Sequence, residues 1–158
     1  MDRQQLIQAY IELHSPNPAA ISIVLNRDSF SHSATQAIAK RFQAEVDERR
    51  LGGRWYQKPT SQRLAILASP ELFDAGHPHY HGIIRLPADD LERYGFEGVA
   101  ALYSEQFAAI HNGGSLLIKP MDDPHGWVAY CSKETDLING DPSKVLWTGN
   151  FLPRYIQA

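Results

Sequence analysis

The chain is poor in cysteine, in long apolar stretches and in net positive charge. Its 158 residues include a single cysteine, which excludes an internal disulfide. No apolar run approaches the roughly 20 residues that a membrane-spanning helix needs, and the N-terminus lacks the charged-then-apolar pattern of a signal peptide. We therefore expect a cytoplasmic protein that has no membrane partner.

The net charge of -3 argues against a protein that coats nucleic acid through bulk electrostatics. The basic residues are unevenly distributed, however, because five of the fifteen fall within residues 49–63. Aromatic residues interleave with them, which suits a local contact with single-stranded or hairpin DNA through phosphate pairing and base stacking. The alternative interpretation is a solvated helix end and its loop. The residues that we predict to contact DNA are Arg49, Arg50, Arg54, Trp55, Lys58 and Arg63.

Hydrophobic periodicity predicts one compact domain over residues 1–158, of the α+β class. With 43% hydrophobic residues the chain is long enough for one core and too short for two. Strands are predicted at residues 21–25, at 116–120 and in a hairpin around 64–85, with a short last strand or packed tail at 145–147. Helices are predicted at 33–50, at 87–110 with interruptions at Gly95 and Gly98, and at 124–135. This order predicts a central antiparallel sheet of about five strands with flanking helices.

The hairpin carries two histidines and a carboxylate that point to a metal site. In a strand that begins after the five-residue turn 74–78, His79 and His81 face the same side of the sheet. Glu71 precedes His79 by eight residues on the other arm. If Phe73 pairs with His79 across the turn, Glu71 sits opposite His81 on that same face.

A tyrosine and a lysine follow about fifty residues later. Asp123 and Pro124 supply a helix N-cap and a first-turn proline, so that Tyr130 and Lys133 lie one helical turn apart. Both side chains can then face the metal site. Taken alone, Tyr130 would more often be a core residue on an apolar helical stripe with Trp127.

These residues together resemble the HUH endonucleases, in particular the rolling-circle replication initiators of plasmids, single-stranded DNA phages and small DNA viruses. The resemblance rests on Glu71 with its hairpin spacing, on His79-Tyr80-His81 as the histidine-hydrophobic-histidine motif, and on Tyr130-x-x-Lys133 as the nucleophile motif. Their order and spacing extend over residues 20–135. A lone His-x-His would carry little weight, whereas three motifs in this order are fairly specific.

The resemblance implies a metal-dependent, sequence-specific single-stranded DNA endonuclease and strand-transferase that starts rolling-circle replication. Tyr130 would be the nucleophile, leaving a 5′-phosphotyrosine, and Lys133 the accompanying cation. His79, His81 and Glu71 would hold Mg²⁺ or Mn²⁺, although two imidazoles and one carboxylate also suit zinc. The expected DNA partner is a single-stranded or hairpin replication origin.

The chain contains no G-x-x-x-x-G-K-[ST] loop, so we expect no helicase domain here. Unwinding and synthesis would come from a separate helicase and polymerase, and the protein would be a monomer or weak dimer. A single-tyrosine transposase is the nearest alternative, but such enzymes usually carry a glutamine ligand after the tyrosine. Conjugative relaxases generally place the tyrosine before the histidines. A non-catalytic module that binds single-stranded nucleic acid, or a zinc hydrolase of small substrates, stays open as a different class.

Overall fold

A computed structural model describes residues 3–13, 16–25, 32–71, 79–133 and 145–148, which contain four α-helices and five β-strands. In chain order they are α1 (Arg3–Glu12), β1 (Pro18–Leu25), α2 (His32–Leu51), β2 (Ala65–Glu71), β3 (His79–Arg85), α3 (Ala88–Ile110), β4 (Gly114–Lys119), α4 (Pro124–Cys131) and β5 (Leu146–Trp147). Short 3-10 turns at Trp55–Gln57 and Thr60–Gln62 connect α2 to β2.

The strands form one antiparallel sheet in the order β4-β1-β3-β2-β5. The predicted α+β class and the five-stranded antiparallel sheet are thus confirmed. Strand β3, which carries both histidines, is the central strand, with β1 and β2 as its neighbours. A side chain on β3 therefore has sheet on either side of it and lies far from both edges.

The two faces of the sheet differ because each strand alternates its side chains. Residues Ile21, Ile23 and Leu25 of β1 are buried against one face, where α2 and α3 cover them. The rings of Phe42 and Tyr103 meet edge to face there at a centroid distance of 5.8 Å. This face holds the larger hydrophobic core.

The opposite face has a second, smaller core over β2 and β3. Leu67 and Ile83 of the sheet pack there with Leu6 of α1 and Val128 of α4. Over β4 the same face is open, since Ser115, Leu117 and Lys119 are exposed. The face that carries His79 and His81 is therefore half covered, with α4 at the margin of the covered part. Helix α1 was not among the predicted elements.

Several predicted details require correction. Glu71 pairs with His79, and Ser69 pairs with His81, so the expected pairing of Glu71 with His81 is wrong by two residues. A shift of two keeps every side chain on its face, and Glu71 therefore still shares a face with both histidines. The turn 74–78 and Phe73 lie outside the described residues.

The helices also differ from their predicted bounds. Helix α3 is interrupted at Gly95, where φ is 71°, but it runs helically through Gly98. A lone glycine lowers helix stability without breaking the hydrogen-bond pattern, and only Gly95 adopts a backbone angle that a helix excludes. Helix α4 ends at Cys131, four residues before the predicted end. Within the described parts of the chain, no helix is long and apolar enough to cross a membrane.

Gly82 is required by close packing inside the sheet. A Cβ atom built on it would collide with the backbone carbonyl of Leu67 and would lie 2.5 Å from the Cα atom of Ala68. The neighbouring strand cannot move away, because it is hydrogen-bonded on both sides. The sequence left open whether this glycine was needed or merely tolerated, and the packing shows that it is needed.

We predict that Gly82→Ala lowers the free energy of unfolding by about 1–3 kcal/mol, the usual cost of overpacking a core. The matched control is Gly53→Ala, since a Cβ atom at Gly53 meets no atom within 4 Å. Urea denaturation of the two variants and the wild type measures the difference. Equal midpoints for both variants would contradict the packing argument.

Candidate active site

The carboxylate of Glu71, at the end of β2, joins all three predicted motifs. Its Oε2 atom lies 2.6 Å from Nε2 of His81, and its Oε1 atom lies 3.0 Å from Nζ of Lys133. The hydroxyl of Tyr130 is 3.3 Å from both carboxylate oxygens and donates to them. Residues that are 59 and 62 positions apart in the chain thus meet at one group.

His81 is held through both of its ring nitrogens. Nε2 contacts Glu71, and Nδ1 lies 2.9 Å from Oγ of Ser22. Ser22 is the direct partner of His81 in the pairing of β1 with β3. Two hydrogen bonds fix the plane of the imidazole and leave its rotation little freedom. Ser22 was missed by the sequence analysis, because a serine inside an apolar strand carries no signal until its cross-strand partner is known.

Two interactions position helix α4, and with it Tyr130, over the sheet: an N-cap and a hydrogen bond to β3. The side chain of Asp123 accepts a hydrogen bond from the backbone N–H of Gly126 at 3.0 Å, and Pro124 occupies the first turn, so both predicted start signals are confirmed. Trp127 donates from Nε1 to the carbonyl of Gly82 at 2.7 Å. This bond ties the helix to the central strand one residue after His81.

The ring of Tyr130 is enclosed by three other side chains. Trp127 stacks on it with an interplanar angle of 16°, and the ring of His81 meets it edge to face with centroids 5.2 Å apart. The ammonium of Lys133 lies 4.0 Å from the ring centroid. Tyr130 is nevertheless 38% exposed. The alternative interpretation of this tyrosine as a core residue therefore does not describe its surroundings.

Glu71 is kept ionised by its neighbours. Its side chain is only 13% exposed. Burial on its own would raise the pKa of the carboxyl, but the hydrogen bonds from Lys133 and His81 outweigh it and lower the pKa below the usual value. Conversely, the hydrogen bond to Glu71 raises the pKa of Lys133. At neutral pH the site therefore contains a carboxylate and an ammonium in direct contact.

The predicted metal ligands fit a divalent ion by donor type and by face. Glu71 and His81 are already within 2.6 Å of each other, and His79 stands opposite Glu71 in the strand pairing. Carboxylate oxygen with imidazole nitrogen is a common donor set for divalent metals. Among the residues that the structure describes, no group of three or more His, Cys, Asp or Glu is placed to hold a metal ion. Metal binding therefore stays a prediction, with two of its three ligands in contact.

Two of the predicted DNA contacts have partners inside the protein. Arg49 makes a bidentate pair with Asp90, at 3.0 and 2.7 Å. Arg50, whose side chain is 5% exposed, pairs with Asp47 at 2.8 Å and with Asp89 at 2.8 Å. The pairs with Asp89 and Asp90 tie α2 to the start of α3. They give both arginines a structural role, and DNA binding by them stays a prediction.

The remaining predicted contacts lie in the 3-10 turns after α2. Arg63 donates to the backbone carbonyls of Lys58, at 2.9 and 2.6 Å, and of Tyr56. This guanidinium braces the loop. Arg54 and Lys58 are exposed, and Trp55 packs edge to face with Tyr56, which is 57% exposed. The segment thus presents two basic side chains and an aromatic surface to solvent.

Comparison of the chain with models of protein families, with curated proteins and with solved structures finds no match.

We predict that the pKa of Glu71 lies below that of an ordinary glutamate, and that Lys133→Gln raises it because the variant removes the hydrogen bond from Lys133. Because folding lowers the pKa of Glu71, the hydrogen bonds to its carboxylate stabilise the fold at pH values above the unfolded-state pKa. This stabilisation is lost as the pH falls through the folded-state pKa. A carbon-13 NMR titration of the Glu71 carboxyl measures both values. The same titration of Lys119→Gln, an exposed lysine on β4, serves as the control. An unchanged Glu71 pKa in Lys133→Gln would refute the assigned pairing.

Proposed function

We propose that this protein is a metal-dependent endonuclease and strand-transferase that nicks single-stranded DNA at an origin and remains attached through a 5′-phosphotyrosine. The proposal rests on the resemblance of the three motifs and on one observation: the carboxylate of Glu71 contacts His81, Lys133 and Tyr130 together. The corresponding role is initiation of rolling-circle replication of a plasmid, phage or similar element.

Tyr130 supplies the nucleophile in this proposal. Its hydroxyl oxygen attacks the phosphorus, a new P–O bond to Tyr130 forms, and the bond from phosphorus to the 3′-oxygen breaks. The phenol proton is already shared with Glu71 through the 3.3 Å hydrogen bonds, and the departing 3′-oxygen takes up a proton to become a hydroxyl. A phosphodiester is exchanged for a phosphotyrosine ester, so the reverse reaction joins strands without ATP.

A free phenol has a pKa of about 10 and is a poor nucleophile at neutral pH. Lys133 lies over the Tyr130 ring and against Glu71, where its charge favours the phenolate as it forms. Trp127 holds the ring by stacking, and Ser22 holds His81, so the reacting groups need little reorganisation. These side chains act through position and charge.

His79, His81 and Glu71 would hold the divalent ion, Mg²⁺ or Mn²⁺. When bound, such an ion draws negative charge from a non-bridging phosphate oxygen. Glu71 pairs with His79 in the hairpin and lies at hydrogen-bond distance from His81, so the three donors share one face of the sheet.

The direct test is covalent capture of DNA. We predict that the wild type incubated with Mn²⁺ and a pool of single-stranded and hairpin oligonucleotides forms an adduct that survives a denaturing gel, because the phosphotyrosine ester is stable to denaturants. Tyr130→Phe removes the attacking oxygen and should form none, and chelation should also abolish the adduct. Tyr94→Phe is the matched control, since Tyr94 is likewise 38% exposed but lies on α3.

The outcomes separate the competing functions. Loss of the adduct in Tyr130→Phe with retention in Tyr94→Phe supports the endonuclease. Binding of the pool by a folded protein that never forms an adduct, with equal affinity for Tyr130→Phe, would identify a non-catalytic binding module instead. Sequencing of the captured strands would give the sequence at which the protein cuts.

A second prediction concerns the segment after α2. Arg54→Gln with Lys58→Gln should weaken binding of single-stranded DNA and reduce the slope of log affinity against log salt by about 1.4, because each phosphate contact on single strands contributes about 0.7. Fluorescence anisotropy at several salt concentrations measures the slope. The control is Arg41→Gln, an exposed arginine on the middle of α2. A slope equal to that of the wild type would exclude this segment from the DNA contact.

A further inference from the structure

A cavity of about 290 Å³ opens directly beside Tyr130. It lies between the end of β4 and α4, on the half-covered face of the sheet. Its lining includes Ala20, Pro120, Met121, Asp122, Trp127 and Tyr130. The volume is just below the range for drug-sized ligands, which begins at about 300 Å³. It is therefore large enough for one flat ring system.

The chemistry of the lining is apolar inside and acidic at the edge. Pro120, Met121 and Trp127 provide apolar and aromatic surface, while Ala20 leaves space where a larger side chain would fill it. The carboxylate of Asp122 is exposed at the same cavity. Its neighbour Asp123 is already engaged as the cap of α4. Asp122 is thus the carboxylate at this cavity that can accept a hydrogen bond from a ligand.

This combination selects one part of a DNA strand. A phosphate would be repelled by Asp122 and Asp123, so the backbone must run outside the cavity. A base has apolar faces for Trp127 and Met121 and a polar edge for a carboxylate. The cavity also borders Tyr130, so any strand positioned for attack has its flanking nucleosides within reach.

We propose that this cavity is a nucleobase site, which takes a base that flanks the scissile phosphate and carries an exocyclic amino group. The amino group of adenine, cytosine or guanine donates to Asp122. Thymine is disfavoured because carbonyl oxygens stand on both sides of its one N–H donor and would face the carboxylate. The inference rests on the proposed endonuclease function and adds a determinant of its sequence specificity.

The test uses the full chain with Mn²⁺ and an oligonucleotide pool randomised around the cleavage position. The attached and released strands are both sequenced, so that the base on each side of the broken bond is read. For the wild type we expect thymine to be depleted about tenfold or more at one of the two positions, the effect of one hydrogen bond to a charged group. Asp122→Asn should remove the preference against thymine, since the asparagine amide can both donate and accept hydrogen bonds.

Two further variants control the result. Glu105→Gln removes an exposed carboxylate from α3, on the other side of the sheet, and should keep the wild-type base preference. Ala20→Leu fills the cavity and should reduce adduct yield about tenfold and erase the preference, with a thermal melt to show that the variant is folded. Retained yield and preference in folded Ala20→Leu would overturn the proposal.

The failure of this inference is distinguishable from the failure of the proposed function. Adducts with equal use of the four bases at both positions, or a thymine depletion that persists in Asp122→Asn, overturn the nucleobase site and leave the endonuclease standing. Absence of any adduct from folded wild-type protein overturns both.

Discussion

The contact of one carboxylate with three predicted site residues is the interaction on which the candidate site depends. Glu71 is hydrogen-bonded to His81, Lys133 and Tyr130. Among these four described residues, Glu71 alone is hydrogen-bonded to each of the other three. A carboxylate at 13% exposure is stable as an anion only because donors surround it. Its removal would break the hydrogen bonds that link it to the tyrosine, the lysine and the imidazole.

The fold serves this arrangement by covering the sheet unevenly. One face is closed by α2 and α3, which bury the larger hydrophobic core against it. The other is closed only over β2 and β3, where α1 and α4 pack, and remains open at β4. Because β3 is the central strand, His81 lies at the boundary between the covered and the open parts of this face. Gly82 also positions the site, because its lack of a side chain lets β2 approach β3 closely and its carbonyl accepts the hydrogen bond from Trp127.

Much of this architecture could be predicted from local sequence signals. Alternation in β1, the Asp123–Pro124 cap and the glycine that interrupts α3 each act within a few residues. The register of the β2–β3 hairpin could not be predicted, because a shift of two residues leaves every side chain on the same face and the hydrophobic pattern unchanged. Ser22, the internal pairs of Arg49 and Arg50, and the cavity beside Tyr130 depend on contacts between distant segments, for which a single sequence carries no local signal.

The central claim is that Tyr130 is the attacking residue, and it is tested most directly by locating the DNA on the protein. Exposure alone does not select it, since Tyr56 and Tyr94 are as exposed or more so, whereas its hydrogen bond to Glu71 does. Protease digestion of the covalent complex followed by tandem mass spectrometry identifies the modified peptide. The account predicts a 5′-phosphodeoxynucleotide on Tyr130. A nucleotide on Tyr56, on Tyr94 or on any other residue would contradict it.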